Sequence, residues 1–125
     1  MTGRIVHFEV PYDDGDRARA FYREAFGWNL TEVPGLDYTM ATTGPVNEQS
    51  VSTEPGFING GMFRRTDELK QPVLTVDVPD IDAAWKTIES LGGERVGEKL
   101  PVGDMGFAAY FKDPEGNILG LWQSA

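Results

Sequence analysis

The sequence predicts an α+β fold made of two βαβββ units, and three observations predict it. A short pattern occurs twice: "FEVPYDD" (Phe8–Asp14) and "VDVPDID" (Val76–Asp82) each close an apolar strand with an acidic residue, Val and Pro. Each copy is followed by apolar residues at helical spacing. Each helical stretch then gives way to three extended segments set apart by turn residues. With 125 residues the chain suits one domain, with room for a real core. The units are expected at about residues 1–66 and 67–125.

The first strand is "IVHFEV". Strand side chains alternate between faces. Val6, Phe8 and Val10 form the apolar set and should pack under a helix; Ile5, His7 and Glu9 then share the other face. Ala18, Phe21, Tyr22, Ala25 and Phe26 recur at helical spacing and predict a helix from about Asp16 to Phe26. Asp14 or Asp16 can cap it, and Gly27 can stop it. "WNLTEV", "DYTMATT" and "INGGMFRR" supply the remaining strands of this half. Between the last two, Gly44–Phe57 ("GPVNEQSVSTEPGF") is a long polar loop, placed to form the rim of a site. Arg64–Pro72 links the halves, with Arg64-Arg65 read as a solvated strand end.

The second half repeats the logic. In "VLTVDV", Leu74, Val76 and Val78 should face the helix, and Val73, Thr75 and Asp77 the opposite side. Ile81, Ala84, Trp85, Ile88 and Leu91 form the helical stripe, which Asp80 can cap and Gly92-Gly93 can end. "ERVGEK", "GFAAYF" and "NILGLWQ" complete the unit, the last two divided by the turn Pro114-Glu115-Gly116.

Composition narrows the function classes. Net charge is −9, and an acidic chain repels phosphate backbones, so nucleic acid is not expected as a partner. No apolar run approaches 20 residues, so no membrane span is expected. The start "MTGRIVHFEV" lacks the layout of a signal peptide, which favours the cytoplasm. There are no cysteines, which rules out disulfides and thiolate metal sites. No phosphate-binding glycine loop or nucleophile elbow is apparent.

The repeated βαβββ unit, "FY" in the first helix followed by "FGW", and "DPEGN" before the last strand resemble the vicinal oxygen chelate superfamily. That group includes glyoxalase I, bleomycin-resistance proteins and extradiol dioxygenases. "VHFEVPYDDGDRARAFYREAFGW", "INGGMFRR" and "FAAYFKDPEGNILGLWQ" are closer still to a glyoxalase-like branch of unsettled activity. The resemblance covers essentially the whole chain. It implies that the two units curl into a half-barrel with a ligand on the concave face. It also implies a homodimer, since a half-barrel leaves edges and apolar surface to cover.

In metal-dependent members of the superfamily, His or Glu residues from the first and last strands of each unit hold one divalent ion. Carried onto this chain, those four slots read Ile5, Gly61, Val73 and Gly120. Gly120 stands where a pattern like "GN..EL" has its Glu; here the stretch is "GNILGL". None of the four offers a donor atom, and a catalytic zinc usually has three protein ligands. No cofactor is therefore expected.

The leading expectation is a protein that binds or sequesters a small, partly apolar molecule in a concave cavity. His7, Glu9, Tyr38, Met40, Phe63, Thr75, Asp77 and Trp122 are the candidate ligand-binding residues. The alternative is an enzyme: a lyase, isomerase or dioxygenase with a shifted divalent-metal site, or an acid–base catalyst built on His7 and Glu9. Plainer readings stand beside these. His7 can be a half-buried strand histidine satisfied by Glu9 or a backbone carbonyl. Tyr38, Met40, Phe63 and Trp122 can simply fill the curled sheet or a dimer interface. Glu9 and Asp77 can be carboxylates solvated at a cavity mouth or hydrogen-bonded to nearby backbone.

Overall fold

The computed structural model describes residues 3–49 and 51–125. Its elements run β1 (Ile5–Tyr12), α1 (Gly15–Phe26), β2 (Asn29–Glu32), β3 (Tyr38–Thr42), β4 (Gly60–Arg64), then β5 (Val73–Asp77), α2 (Ile81–Ser90), β6 (Glu94–Val102), β7 (Gly106–Lys112) and β8 (Ile118–Ser124). The class is α+β, with βαβββ occurring twice. The chain divides into two compact units, one spanning His7–Pro72 and the other Val73–Ala125 together with the residues up to Val6.

In the first unit the strand order is β2-β3-β4-β1. β1 and β4 run parallel, with Glu9 beside Gly61 and Pro11 beside Phe63. β3 lies antiparallel to β4, with Met40 beside Gly61 and Tyr38 beside Phe63. One face of this sheet meets α1: Tyr12, Leu30, Ala41 and Met62 are buried there, with Phe8, Val10, Ala18, Tyr22 and Trp28 packed against them. The helix begins where Asp14 caps it, the carboxylate accepting from Arg17 N at 3.1 Å. It ends where Gly27 takes φ 72°, a left-handed conformation that glycine adopts without steric cost.

In the second unit the order is β5-β8-β7-β6. Thr75 lies beside Gly120 on the parallel pair β5–β8, and Tyr110 lies beside Gly120 on the antiparallel pair β7–β8. Val78, Ile81, Trp85, Ala109 and Leu121 form the core beneath α2. The Trp85 indole N–H donates to the Tyr110 carbonyl at 3.0 Å, so the ring is buried without an orphaned donor. The α2 N-terminus has two acceptors: the Asp80 carboxylate takes Ala83 N at 3.3 Å, and the Gln123 side chain takes Ile81 N at 2.8 Å. "DPEGN" is a self-contained turn. Asp113 accepts from the backbone N–H of Glu115 and of Asn117, both at 2.9 Å.

Strand alternation holds wherever the helices reach, since Phe8, Val10, Val76, Val78 and Leu121 all pack on the helix sides. It needs correction at the strand starts. Val6 and Leu74, expected under the helices, are 39% and 50% exposed. The physical reason is length: each helix covers only the later part of the strand that precedes it.

Candidate functional site

The face of the first sheet opposite α1 carries His7 and Glu9 from β1, Tyr38 and Met40 from β3, and Gly61 and Phe63 from β4. Registry sets them in rows. Glu9, Gly61 and Met40 form one row, and Pro11, Phe63 and Tyr38 the next. Tyr38 leans diagonally across Gly61, and its hydroxyl lies 2.8 Å from His7 Nε2. A β-carbon on Gly61 would collide with the Tyr38 hydroxyl and ring. Glycine is therefore required at 61 because another side chain occupies its space.

Burial draws the His7 pKa down from 6.5, and the neighbouring Glu9 carboxylate pulls the other way. Desolvation wins, so the imidazole is neutral at neutral pH and can share a proton with the Tyr38 hydroxyl. Glu9 is 7% exposed and Phe63 8%. The plainer reading of Glu9 as a solvated carboxylate is thus corrected: its side chain is buried, away from bulk water. Met40, at 38% exposure, leaves an apolar surface beside this polar pair.

The matching face of the second unit carries Thr75, Asp77, Gly120 and Trp122. Gly120 is buried, and an added β-carbon would stand 2.8 Å from Thr75 Oγ1. Thr75 itself is 6% exposed. The position next to Gly120 is thus closed by a short side chain rather than open to solvent. Trp122 donates its indole N–H to Ser124 Oγ at 3.2 Å.

A second group went unseen in the sequence. Tyr12, Asp13, Asp14, Gly15, Asp16, Arg19, Glu32, Asp37 and Arg64 line a cleft of about 520 Å³ on the α1 side of the first unit. The Tyr12 hydroxyl donates to Asp37 Oδ1 at 3.0 Å, and Arg64 Nε donates to Asp37 Oδ2 at 2.7 Å. These two bonds hold the Asp37 carboxyl below the usual carboxylate range, and burial with the Asp37 bond pushes the Tyr12 phenol up. Arg19 reaches Thr39 Oγ1 at 3.1 Å and pairs with Asp16 and Glu32. Arg64 and Arg65 stand exposed at the end of β4, as expected, and form surface ion pairs there. Arg64 pairs with Asp37, and Arg65 with Asp13 and the Lys70 carbonyl. The Tyr12–Asp37, Arg64–Asp37 and Arg65–Asp13 partners are 25 to 52 residues apart, so no local pattern announces them.

Comparison with known proteins agrees with this architecture. Residues 4–44 match a family model described as bleomycin resistance protein-like N-terminal. A glyoxylase-like domain-containing protein of Didymella fabae is 27% identical over 122 residues, covering 94% of this chain and 91% of that one. Among solved structures, methylmalonyl-CoA epimerase from Mycobacterium tuberculosis superposes with a TM-score of 0.64 at 21% identity, over 99% of this chain and 89% of that one. A methylmalonyl-CoA epimerase in complex with methylmalonyl-CoA and NH4+ gives 0.64 at 20% identity, over 100% and 96%. The likeness to these solved structures shows that the chain shares their fold.

The resemblance raises the question of a divalent ion at Ile5, Gly61, Val73 and Gly120. The residues present do not fit one. Ile5 and Val73 are aliphatic, and Val73 is 1% exposed. The space beside Gly61 holds the Tyr38 hydroxyl, and that beside Gly120 meets Thr75. Among the described residues no three His, Asp or Glu side chains gather in a group that could hold a metal. A transition metal needs several N, O or S donors at fixed distances. Beside Gly61 the first unit presents a phenol–imidazole pair.

Proposed function

We propose that this protein binds a small, partly apolar molecule without a metal, on the face of the first unit formed by His7, Glu9, Tyr38, Met40 and Phe63. The observation that carries this reading is the Tyr38–His7 pair, 2.8 Å apart and spanning Gly61. It supplies one polar contact that can both donate and accept, set among apolar and aromatic surface. Ligand sites commonly combine these two features. Thr75, Asp77 and Trp122 are proposed as ligand-binding residues of the second unit.

The test uses untagged protein purified without added metal. Native mass spectrometry reads any retained small molecule, and elemental analysis reads metal. The expected result is a retained organic ligand, or saturable uptake of one from a metabolite mixture, at sub-stoichiometric metal. Stoichiometric metal together with metal-dependent turnover would overturn the reading.

One observation favours a second reading, an acid–base enzyme. A neutral His7 hydrogen-bonded to Tyr38, with Glu9 beside it, has the make-up of a proton-transfer site. In that case metal-free turnover would follow the ionisation of His7 and vanish in His7→Gln.

A further inference from the structure

Tyr38 is the first residue of β3, and the turn before it, Pro34 to Asp37, is exposed throughout. A backbone bond from Val33 N to the Tyr38 carbonyl, 2.9 Å, closes that turn. A segment with so little buried surface has low local stability, so backbone bonding alone holds the Tyr38 ring weakly. Yet the ring has to cross Gly61 to set its hydroxyl 2.8 Å from His7 Nε2. The residues on either side of Tyr38 are both held from the α1 side of the sheet. Thr39, wholly buried, accepts from the Arg19 guanidinium at 3.1 Å. Asp37 accepts twice, from the Tyr12 hydroxyl at 3.0 Å and from Arg64 Nε at 2.7 Å. The Arg64 guanidinium also lies over the Tyr12 ring, 5.7 Å from its centre, so the three groups close on one another.

The strands that hold Asp37 are those that build the site. Tyr12 and Arg64 stand side by side in the register of β1 and β4; β1 carries His7, and β4 carries Gly61. The Asp37 and Arg64 side chains are each more than half exposed, and an exposed ion pair adds little to global stability. What the two bonds do supply is direction. Consecutive strand residues point to opposite faces, so anchoring residue 37 on one face aims residue 38 on the other. We propose that Asp37 is a positioning residue for the site: it fixes the start of β3 so that the Tyr38 hydroxyl meets His7. This rests on the reading of the Tyr38–His7 pair as the polar contact of that site. Asp37 stays outside the ligand face and acts through Tyr38 alone, as groups behind a binding site do when they lock the conformation of those in front.

His7 is the chain's only histidine, so its imidazole gives a single Hε1 proton NMR signal. The position of that signal reports the Tyr38 contact in protein freed of small molecules. Asp37→Ala removes both acceptors; Asp37→Asn keeps one for Tyr12 but loses the charge that strengthens the Arg64 bond. Both should keep the wild-type far-UV spectrum, because Asp37 is exposed. The His7 signal is expected to move in Asp37→Ala toward its position in Tyr38→Phe, and part of the way in Asp37→Asn. Tyr12→Phe, which removes only the hydroxyl, should move it in the same sense. Asp37→Ala should add nothing once Tyr38 is Phe, since the two act as one unit. Arg65→Gln, which breaks the neighbouring pair with Asp13, should leave the signal in place. A His7 signal unmoved by Asp37→Ala, one moved as far by Asp37→Ala in the Tyr38→Phe background, or one moved as far by Arg65→Gln would overturn the proposal. The ligand reading stands or falls separately, on whether wild type takes up a small molecule.

Discussion

The Tyr38 hydroxyl lies 2.8 Å from His7 Nε2, across the bare backbone of Gly61. Three strands cooperate in this contact: β1 supplies the imidazole, β3 the phenol, and β4 the gap between them. The hydrogen bond and the glycine are one feature.

Gly61→Ala should therefore act through Tyr38. The added methyl forces the ring aside, an overpacking expected to cost about 1–3 kcal/mol. Tyr38→Ala in the same chain removes the obstacle, so the double variant should be less destabilised than the sum of the singles. Urea denaturation of the four proteins measures this coupling. Simple additivity would mean that Tyr38 does not occupy the space beside Gly61.

Acid should weaken the fold through His7. Its folded-state pKa is depressed by burial below 6.5. As pH falls, the unfolded chain takes up the proton first, so stability is full above about 6.5, falls below it, and levels off once pH passes the folded value. His7→Gln has no ionisation in that window and should show a shallower decline between about pH 7 and pH 5. Melting curves of both proteins across that range give the difference. Parallel curves would show that His7 titrates as it does in the unfolded chain.

Leu121→Glu and Gly120→Ala should differ sharply although they are neighbours. Leu121 is 2% exposed in the core beneath α2. An isolated carboxylate there costs several kcal/mol or stays protonated. Gly120→Ala meets the Thr75 side chain, nearest at Oγ1, and Thr75→Ala should relieve that contact. Melting temperatures order the variants, with Leu121→Glu lowest. The reverse order would invert the faces assigned to β8, and Thr75 and Trp122 would leave the proposed ligand face with it.

Metal should not rescue these variants. Gly120→Glu adds one donor, but Ile5, Gly61 and Val73 still have none. Added nickel or zinc is expected to leave the melting temperature of both wild type and Gly120→Glu unchanged, because tight binding to the folded state alone would raise it. A metal-dependent rise in wild type would point to donors outside those four positions.

The sequence by itself determined the two βαβββ units, because the signals for them are local. Strand alternation placed Phe8, Val10, Val76 and Val78 toward the helices, and Asp14, Gly27 and Asp80 marked the helix ends. Absence of donors at Ile5, Gly61, Val73 and Gly120 was also legible, since it needs only residue identity and the superfamily's pattern. What fills those places was decided only by tertiary structure. That Tyr38 crosses Gly61 to reach His7 depends on a diagonal contact over three strands and on a side-chain direction, neither of which a linear pattern encodes. The Tyr12–Asp37–Arg64 bonds likewise depend on strand ends brought together from distant parts of the chain. Exposure of Val6 and Leu74 follows from how far each helix extends along its sheet. Periodicity tells which way a residue points; only the packed fold tells what, if anything, lies there to meet it.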